Sequence, residues 1–192
     1  MSEFRFLKAC RREPVDVTPV WIMRQAGRYL PEYQKVRGNH SFLTMCKTPE
    51  LAAQVTIQPV ERLGVDAAIL FSDILVPVEA MGVPLEFHEG KGPLLGKAIH
   101  GQKDVDSLIV PDPREKVPFV MEAIRILRKA FEGKVPLIGF SGAPFTLASY
   151  IVEGGTSKNF IQLKKLMYQA PEVYRSLMAK IAKTVILYLN AQ

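Results

Sequence analysis

The sequence predicts an α/β fold built on parallel strands. Three short apolar runs, near residues 20–23, 67–71 and 135–140, are separated by longer segments with helical periodicity. The second run is apolar without alternation, which is typical of a parallel strand buried on both faces. Strands joined by helical crossovers form a parallel sheet. Two architectures fit this pattern, an open doubly wound sheet and the beginning of an eight-stranded barrel.

The helices between the strands are predicted from their start and stop signals. Thr48 precedes a proline and an acidic residue, which is an N-cap pattern, and Gly64 ends the apolar stripe that follows. A second helix is expected to begin at Asp112, which resembles the start of a capping box, and to end at Gly133. These two helices would connect the three strands.

The other segments are an excursion and a helical stretch. Residues 76–110 contain prolines, glycines and short extended pieces, which indicate an irregular excursion with a small hairpin. Residues from 144 onward have mostly helical patterning, with breaks expected at Gly154-Gly155 and Ala170-Pro171.

The composition indicates a globular chain. Hydrophobic residues make up 48% of the 192 positions and charged residues 23%, so a core can form and one domain over residues 1–192 is expected. No apolar run is long enough for a membrane span, and the net charge of +6 is scattered, without a nucleic-acid-binding motif. The cysteines and histidines lack metal-ligand spacing, so no metal site is predicted. The two cysteines lie far apart in the sequence and are expected to be reduced thiols, which agrees with a cytoplasmic protein.

The first candidate site follows the first predicted strand. Residues 19–31 read PVWIMRQAGRYLP, in which Arg24 and Arg28 flank a small Ala26-Gly27 pair. A guanidinium is a planar fork that fits a carboxylate or phosphate, and glycine lets the backbone approach a ligand. The pattern fits an anion site, and it fits equally a surface loop whose arginines pair with helix carboxylates.

Two further polar residues follow the later strands. Asp73 stands in the sequence FSDIL, just past the second strand, and Tyr150 lies in the helix that follows the third. Active sites of barrels are built at the carboxyl ends of the strands. Asp73 either caps the next turn or faces a cation or N–H donors, and Tyr150 either packs on a half-buried face or reaches the pocket.

These segments together resemble uroporphyrinogen decarboxylases. Residues 19–31 resemble the N-terminal signature of that family, and FSDIL is characteristic of it. Residues 139–154, GFSGAPFTLASYIVEG, resemble the second signature. The three motifs occur in the family's order, and the resemblance extends from about Arg5 to the last residue.

The resemblance implies a fold and an activity. The family folds as a single (β/α)₈ barrel, usually a homodimer, and uses no metal or organic cofactor. It converts the four acetate side chains of uroporphyrinogen to methyl groups, giving coproporphyrinogen and CO₂. A complete barrel has about 250 residues, so this chain is expected to be the N-terminal portion of the barrel domain, with the C-terminal half absent.

The resemblance also implies roles for individual residues. Arg24 and Arg28 would bind substrate carboxylates. Asp73 would hold the pyrrole N–H groups and stabilise cationic intermediates, and Tyr150 would touch the substrate. The residues expected at the substrate are Arg24, Gln25, Ala26, Gly27, Arg28, Arg37, Asp73 and Tyr150.

Two alternatives to an active decarboxylase stay open. One is a zinc-dependent methyltransferase that serves corrinoid proteins in the same barrel superfamily, although the RQAGR sequence favours the decarboxylase. The other is an inactive module that only binds anionic porphyrinogens. The family's later pocket residues, a Ser or Thr and a His, have no counterpart in the chain, so the isolated chain is expected to be inactive or poorly soluble.

Overall fold

The computed structural model describes residues 4–26, 29–88, 92–96 and 98–192. The chain divides into unit 1, which comprises Met1–Ser72 and Phe119–Gly139, and unit 2, which comprises Asp73–Pro118 and Phe140–Gln192. In chain order, the elements of the described residues are α1 (Arg5–Cys10), α2 (Pro31–Asn39), α3 (Phe42–Lys47), α4 (Pro49–Leu63), β1 (Ala68–Ile69), α5 (Val76–Ala80), β2 (Leu85–His88), β3 (Gly92–Leu95), α6 (Gln102–Ser107), α7 (Pro113–Lys116), α8 (Pro118–Ala130), β4 (Leu137–Ile138), α9 (Pro144–Glu153), α10 (Ile161–Gln169) and α11 (Pro171–Ala191).

Unit 1 is built around a parallel pair of strands. β1 pairs with β4 in parallel, Ala68 opposite Leu137 and Ile69 opposite Ile138. Helix α4 packs against β1, and α2 and α3 pack against α4. Ala68 on β1 and Leu70 directly after it are both buried, as the unbroken apolar run predicts. The second and third predicted strands are therefore confirmed, each shorter than the apolar run that indicated it.

The prediction of a first strand at residues 20–23 is wrong, because the structure has no strand there. The amide of Val20 donates to the carboxylate of Asp66 (2.7 Å), and the amide of Ile22 donates to the side-chain oxygen of Gln25 (3.1 Å). One backbone bond, from Asp66 N to Val20 O (2.8 Å), joins this segment to the approach to β1. Side chains thus take the amide protons that a neighbouring strand would bind in a ladder, and the segment is irregular.

A buried threonine connects α4 to the end of β1. Thr56 is fully buried, and its hydroxyl donates to the carbonyl of Ala52 (2.8 Å) while accepting from the amide of Phe71 (2.9 Å). A hydroxyl can do both at once. The bond fixes the backbone directly after β1, where the ladder with β4 has ended.

Thr56→Val is expected to lower the free energy of unfolding by about 1 kcal/mol, because the methyl group keeps the shape but leaves the Phe71 amide without its acceptor. Urea unfolding followed by circular dichroism measures this change. The matched control is Thr18→Val, since Thr18 is exposed on the same unit. An equal change in both variants would contradict the assigned bond.

Unit 2 is organised around its longest helix. α11 packs against α5, α6, α7, α9 and α10. Its buried residues recur at helical spacing, namely Leu177, Ile181, Thr184, Val185 and Tyr188. The ammonium of Lys180 donates to the carbonyls of Val105 (2.7 Å) and Leu108 (2.8 Å), and so caps the C-terminal end of α6. Among the described residues, no helix combines the length and apolarity needed to cross a membrane.

The predicted hairpin and helix breaks lie in unit 2. β2 and β3 are antiparallel, with Leu85 opposite Leu95. α9 ends at Glu153, and Gly154 follows with φ 74°, a left-handed conformation that favours glycine. Its carbonyl accepts from the amide of Leu95 (3.0 Å), so the break brings the chain against the hairpin.

The helix predicted from Asp112 to Gly133 is two helices. Asp112 caps α7, because its carboxylate accepts from the amide of Arg114 (2.9 Å), as predicted. α7 ends at Lys116, and α8 begins at Pro118. Proline has no amide proton and disfavours helical backbone in the residue before it, which explains the division at Val117.

An exposed ion pair near the N-terminus of unit 1 shifts the pKa of a carboxyl group, and this shift can be measured. Arg5 donates to both carboxylate oxygens of Asp16 (2.7 and 2.5 Å) and to Asp66 (3.0 Å). The bond from Arg5 lowers the pKa of Asp16 below its usual value, and a bond from Arg11 does the same to the pKa of Glu13. A lowered folded-state pKa stabilises the fold above the unfolded pKa, and this contribution is lost as the pH falls through the folded pKa.

In Arg5→Gln, the pKa of Asp16 is therefore expected to rise toward its ordinary value near 3.8. The stability difference between wild type and variant should shrink as the pH falls below about 4. A carboxyl-carbon NMR titration measures the pKa, and Glu13 serves as internal control because Arg11 causes its shift. An unmoved Asp16 titration would contradict the ion pair.

Candidate functional site

The Arg24 turn, residues 22–26 of unit 1, presents the arginine to solvent. Arg24 is exposed and takes φ 59°, in the left-handed region that few residues other than glycine adopt. Gln25 beside it is fully buried, and Ala26 is buried in a cluster with Leu30 and Tyr33. The turn thus has a buried side and an exposed cationic side.

The Arg24 turn is held to the protein at its buried side. Gln25 donates from its amide nitrogen to the carbonyl of Ala67, directly before β1 (3.1 Å), and its amide oxygen accepts from Ile22 N (3.1 Å). The Asp66 carboxylate holds Val20 at the start of the segment. The arginine is therefore carried on a short loop that is fixed to the beginning of a core strand.

Of the three other predicted residues near this turn in the sequence, the structure describes one, Arg37. Arg37 is half-buried on α2 and donates to the carbonyl of His40 (2.9 Å), so its guanidinium helps to cap that helix. Gly27 and Arg28 lie outside the described residues. Their predicted contacts with the substrate stay predictions, as does that of Arg37.

Aromatic packing supports the backbone that leads to Asp73. Phe71 contacts Phe42 edge-on, with ring centroids 5.7 Å apart, and Tyr33 at 6.2 Å. These rings come from α2 and α3, so both short helices brace the end of β1. Together with the bond to Thr56, they fix the chain two residues before Asp73.

Asp73 opens unit 2 and forms the turn before α5. Its Oδ1 accepts from the amide of Leu75 (2.8 Å), and its carbonyl accepts from Val76 N (3.2 Å). The side chain is half-buried. The turn-capping role that the sequence allowed is therefore present, and it orients the carboxylate on a fixed backbone.

The turn of Asp73 also packs against the loop after β4, at Gly142. A Cβ added at Gly142 would lie 2.5 Å from Leu147 Cδ2, 3.0 Å from Leu147 Cγ and 3.3 Å from Ile74 Cβ. Leu147 is 1% exposed, so its side chain has little room to move. Gly142 is thus the residue that permits the close approach of these two loops within unit 2.

Tyr150 lies on α9 in the same unit. It is half-buried, between the buried residues Ser149 and Ile151. Unit 2 therefore carries Asp73 and Tyr150, and unit 1 carries Arg24, Gln25, Ala26 and Arg37. Over residues 4–26, 29–88, 92–96 and 98–192, no three His, Cys, Asp or Glu side chains are grouped so that they could hold a metal ion.

Comparison with known proteins identifies the family. The family model described as uroporphyrinogen decarboxylase (URO-D) matches residues 1–192. The chain belongs to the uroporphyrinogen decarboxylase family. It is 60% identical over 187 residues to a relative of that name from Carboxydothermus hydrogenoformans, a match that covers 97% of the chain and 53% of the relative. A relative of the same name from Trichlorobacter lovleyi is 62% identical, with 98% and 55% covered. The chain thus spans about half the length of these uroporphyrinogen decarboxylases.

A solved structure matches the fold. A methyltransferase from Methanosarcina mazei superimposes with a TM-score of 0.75 at 25% identity, over 97% of this chain and 54% of that protein. The predicted fold class is confirmed: the chain has an α/β fold with parallel strands and forms part of a (β/α)₈ barrel.

Sequence reasoning missed three residues that position the site. Asp66 accepts a hydrogen bond from the amide of Val20, and Thr56 accepts one from the amide of Phe71. Gly142 lacks a side chain and so allows Ile74 and Leu147 to approach closely. A threonine on the apolar face of α4 was a usable signal, because a buried hydroxyl needs partners. Val20, the partner of Asp66, and Ile74, one of the two residues that approach Gly142, come from distant parts of the chain, and the sequence alone does not indicate them.

Proposed function

We propose that this chain is the part of a uroporphyrinogen decarboxylase that binds the substrate's carboxylates and stabilises its cationic form. The reaction converts the four acetate side chains of uroporphyrinogen III to methyl groups and yields coproporphyrinogen III and CO₂. The observation that carries the proposal is 60–62% identity to proteins of that name over nearly the whole chain.

Arg24 suits the binding of a polyacid. The substrate carries eight carboxylates, and Arg24 is exposed on a turn anchored to the beginning of β1. Charge-assisted hydrogen bonds from a guanidinium contribute about 1.5–3 kcal/mol each. Arg24 and Arg28 thus orient the macrocycle, Arg37 adds a further contact, and Ala26 and Gly27 bring backbone close to it.

Asp73 suits the chemistry of carbon dioxide loss. Protonation of the electron-rich pyrrole makes a cationic ring that accepts the electron pair of the breaking C–C bond. CO₂ leaves, the former acetate carbon takes up a proton to become a methyl group, and the ring releases the proton that it had gained, so that one proton is consumed for each CO₂. A carboxylate beside the ring stabilises the positive charge and binds the pyrrole N–H groups, which lowers the barrier. Tyr150 contacts the substrate from the same unit.

The substrate supplies the electron sink in this mechanism, so no cofactor or metal is assigned. Residues 1–192 form part of one barrel domain, and the complete enzyme is a cytoplasmic homodimer, as the family resemblance implies. The methyltransferase from Methanosarcina mazei supports a second candidate, a methyl-transfer enzyme, but at 25% identity it is the weaker one.

Titration with uroporphyrin, the oxidised octacarboxylate, tests the proposed binding on the 192-residue chain. Quenching of Trp21, the single tryptophan, reports occupancy. Arg24→Ala is expected to weaken binding about tenfold, the loss of one charge-assisted contact. Arg128→Ala, an exposed arginine on α8, is the control and should bind as wild type does. Equal binding by Arg24→Ala and wild type would contradict the assignment.

A further inference from the structure

Gln25 uses both ends of its side-chain amide inside the protein. It is fully buried; its Oε1 accepts from Ile22 N (3.1 Å), and its Nε2 donates to Ala67 O (3.1 Å). Its own backbone amide donates to the carbonyl of Ile22 (2.9 Å). An amide side chain offers an acceptor and donors together, and both are needed here.

These bonds flank the one residue of the turn that is both charged and strained. Arg24 stands between Ile22 and Gln25 in the closed turn, with φ 59° and an exposed side chain. A non-glycine residue in this region is retained when the surrounding structure fixes it. The bonds of Gln25 provide that constraint, and they connect the turn to the residue before β1.

We infer that Gln25 is a positioning residue that acts through Arg24. It fixes the turn on which the guanidinium is presented to a polycarboxylate ligand, and its own side chain does not touch that ligand. The inference rests on the proposed function for the identity of the ligand. It gives Gln25 a different task from the substrate contact that the motif predicts, because a contact would require breaking the bonds to Ile22 and Ala67.

Three variants of the 192-residue chain separate positioning from contact. Gln25→Ala removes both bonds. Gln25→Glu keeps the shape and the acceptor for Ile22 N but places a carboxylate oxygen against the Ala67 carbonyl. Arg24→Ala removes the charge and keeps the buried amide. Gln54→Ala is the matched control, since Gln54 is exposed on α4.

The turn itself is measured without any ligand. Trypsin cleavage after Arg24, assigned by mass spectrometry, should be faster in Gln25→Ala than in wild type and Gln54→Ala. Gln25→Glu is not compared in this assay, because an acidic residue directly after the arginine itself slows trypsin. The emission of Trp21 should shift in both Gln25 variants but not in Arg24→Ala.

If Gln25→Ala does not fold, the emission of Gln25→Glu still tests the inference. Burial raises the pKa of a glutamic acid, and below that pKa the protonated group can donate to Ala67 O again. Its emission should then approach that of wild type at about pH 5 and depart from it at about pH 8.

Uroporphyrin titration links the turn to binding. We expect Gln25→Glu at pH 8 and Arg24→Ala each to weaken affinity about tenfold, and the double variant to be little weaker than Arg24→Ala. Unchanged cleavage after Arg24 in folded Gln25→Ala, or unchanged Trp21 emission in Gln25→Glu at about pH 8, would overturn the inference. So would weakened binding in Gln25→Glu with unchanged binding in Arg24→Ala, which would indicate a direct contact by Gln25. Equal binding by Arg24→Ala and wild type contradicts the proposed function. The cleavage and emission measurements use no ligand, so they test whether Gln25 fixes the turn independently of that function.

Discussion

Gly142→Ala is expected to lower the free energy of unfolding by about 2–3 kcal/mol, because the added methyl group overpacks a closed site. The new Cβ would lie 2.5 Å from Leu147 Cδ2 and 3.3 Å from Ile74 Cβ. Leu147 is buried and has little room to move away, and Ile74 must also give way by a few tenths of an ångström. Since Ile74 adjoins Asp73, the substitution should also displace the carboxylate that the proposed mechanism needs.

Urea unfolding of the variant measures the loss, and two further variants identify its cause. Gly101→Ala adds the same methyl group in unit 2 at a position with nothing within 4 Å, and it should lower the free energy of unfolding by at most about 1 kcal/mol, the effect expected of alanine at the N-cap of α6. Leu147→Val removes the clashing Cδ2 atom, so Gly142→Ala combined with Leu147→Val should lose less than the sum of the single changes. Additive losses would contradict the assigned clash.

Asp73→Asn is expected to lower the decarboxylation rate about 100-fold or more, the range seen when a charge-stabilising group is removed from an active site. The test is a chimera in which this chain replaces the matching portion of the Carboxydothermus hydrogenoformans relative, to which it is 60% identical. Asparagine retains an oxygen that can accept from Leu75 N, so the turn is kept while the negative charge is lost. The loss should fall mainly on kcat, because the charge acts on the developing cation.

Asp106→Asn in the same chimera is the matched control. Asp106 is exposed on α6, and its Oδ1 accepts from Gln102 Nε2 (2.8 Å), a bond that asparagine can also make. Its rate should equal that of the unmodified chimera. A rate for Asp73→Asn within a few-fold of this control would remove Asp73 from the mechanism.

Local patterns in the sequence predicted most of the fold. The N-terminal boundary of α4 follows from Thr48-Pro49, the end of α9 from Gly154, and β1 from an unbroken apolar run. The apolar run at residues 20–23 predicted a strand that does not form, because the side chains of Asp66 and Gln25 accept hydrogen bonds from its amides. A strand depends on partners for its amides, and the residues of the strand alone do not reveal those partners.

The sequence nominates the candidate site residues, which stay predictions, but it does not indicate the contacts that hold them in place. Arg24 and Asp73 stand out by residue type and by their places after apolar runs. The buried amide of Gln25 depends on Ala67, and the approach at Gly142 depends on Ile74, both of which are far away in sequence. Such contacts arise only when the elements pack, so the sequence predicted a substrate contact for Gln25 where we infer support of the turn.

Under the proposed function, this chain carries the substrate-binding and charge-stabilising residues of a uroporphyrinogen decarboxylase. The most direct measurement is chromatography of the porphyrins formed when the unmodified chimera is incubated with uroporphyrinogen III and the products are then oxidised. We expect conversion of the eight-carboxylate porphyrin to the four-carboxylate one. A folded chimera that returns only the eight-carboxylate porphyrin would contradict it.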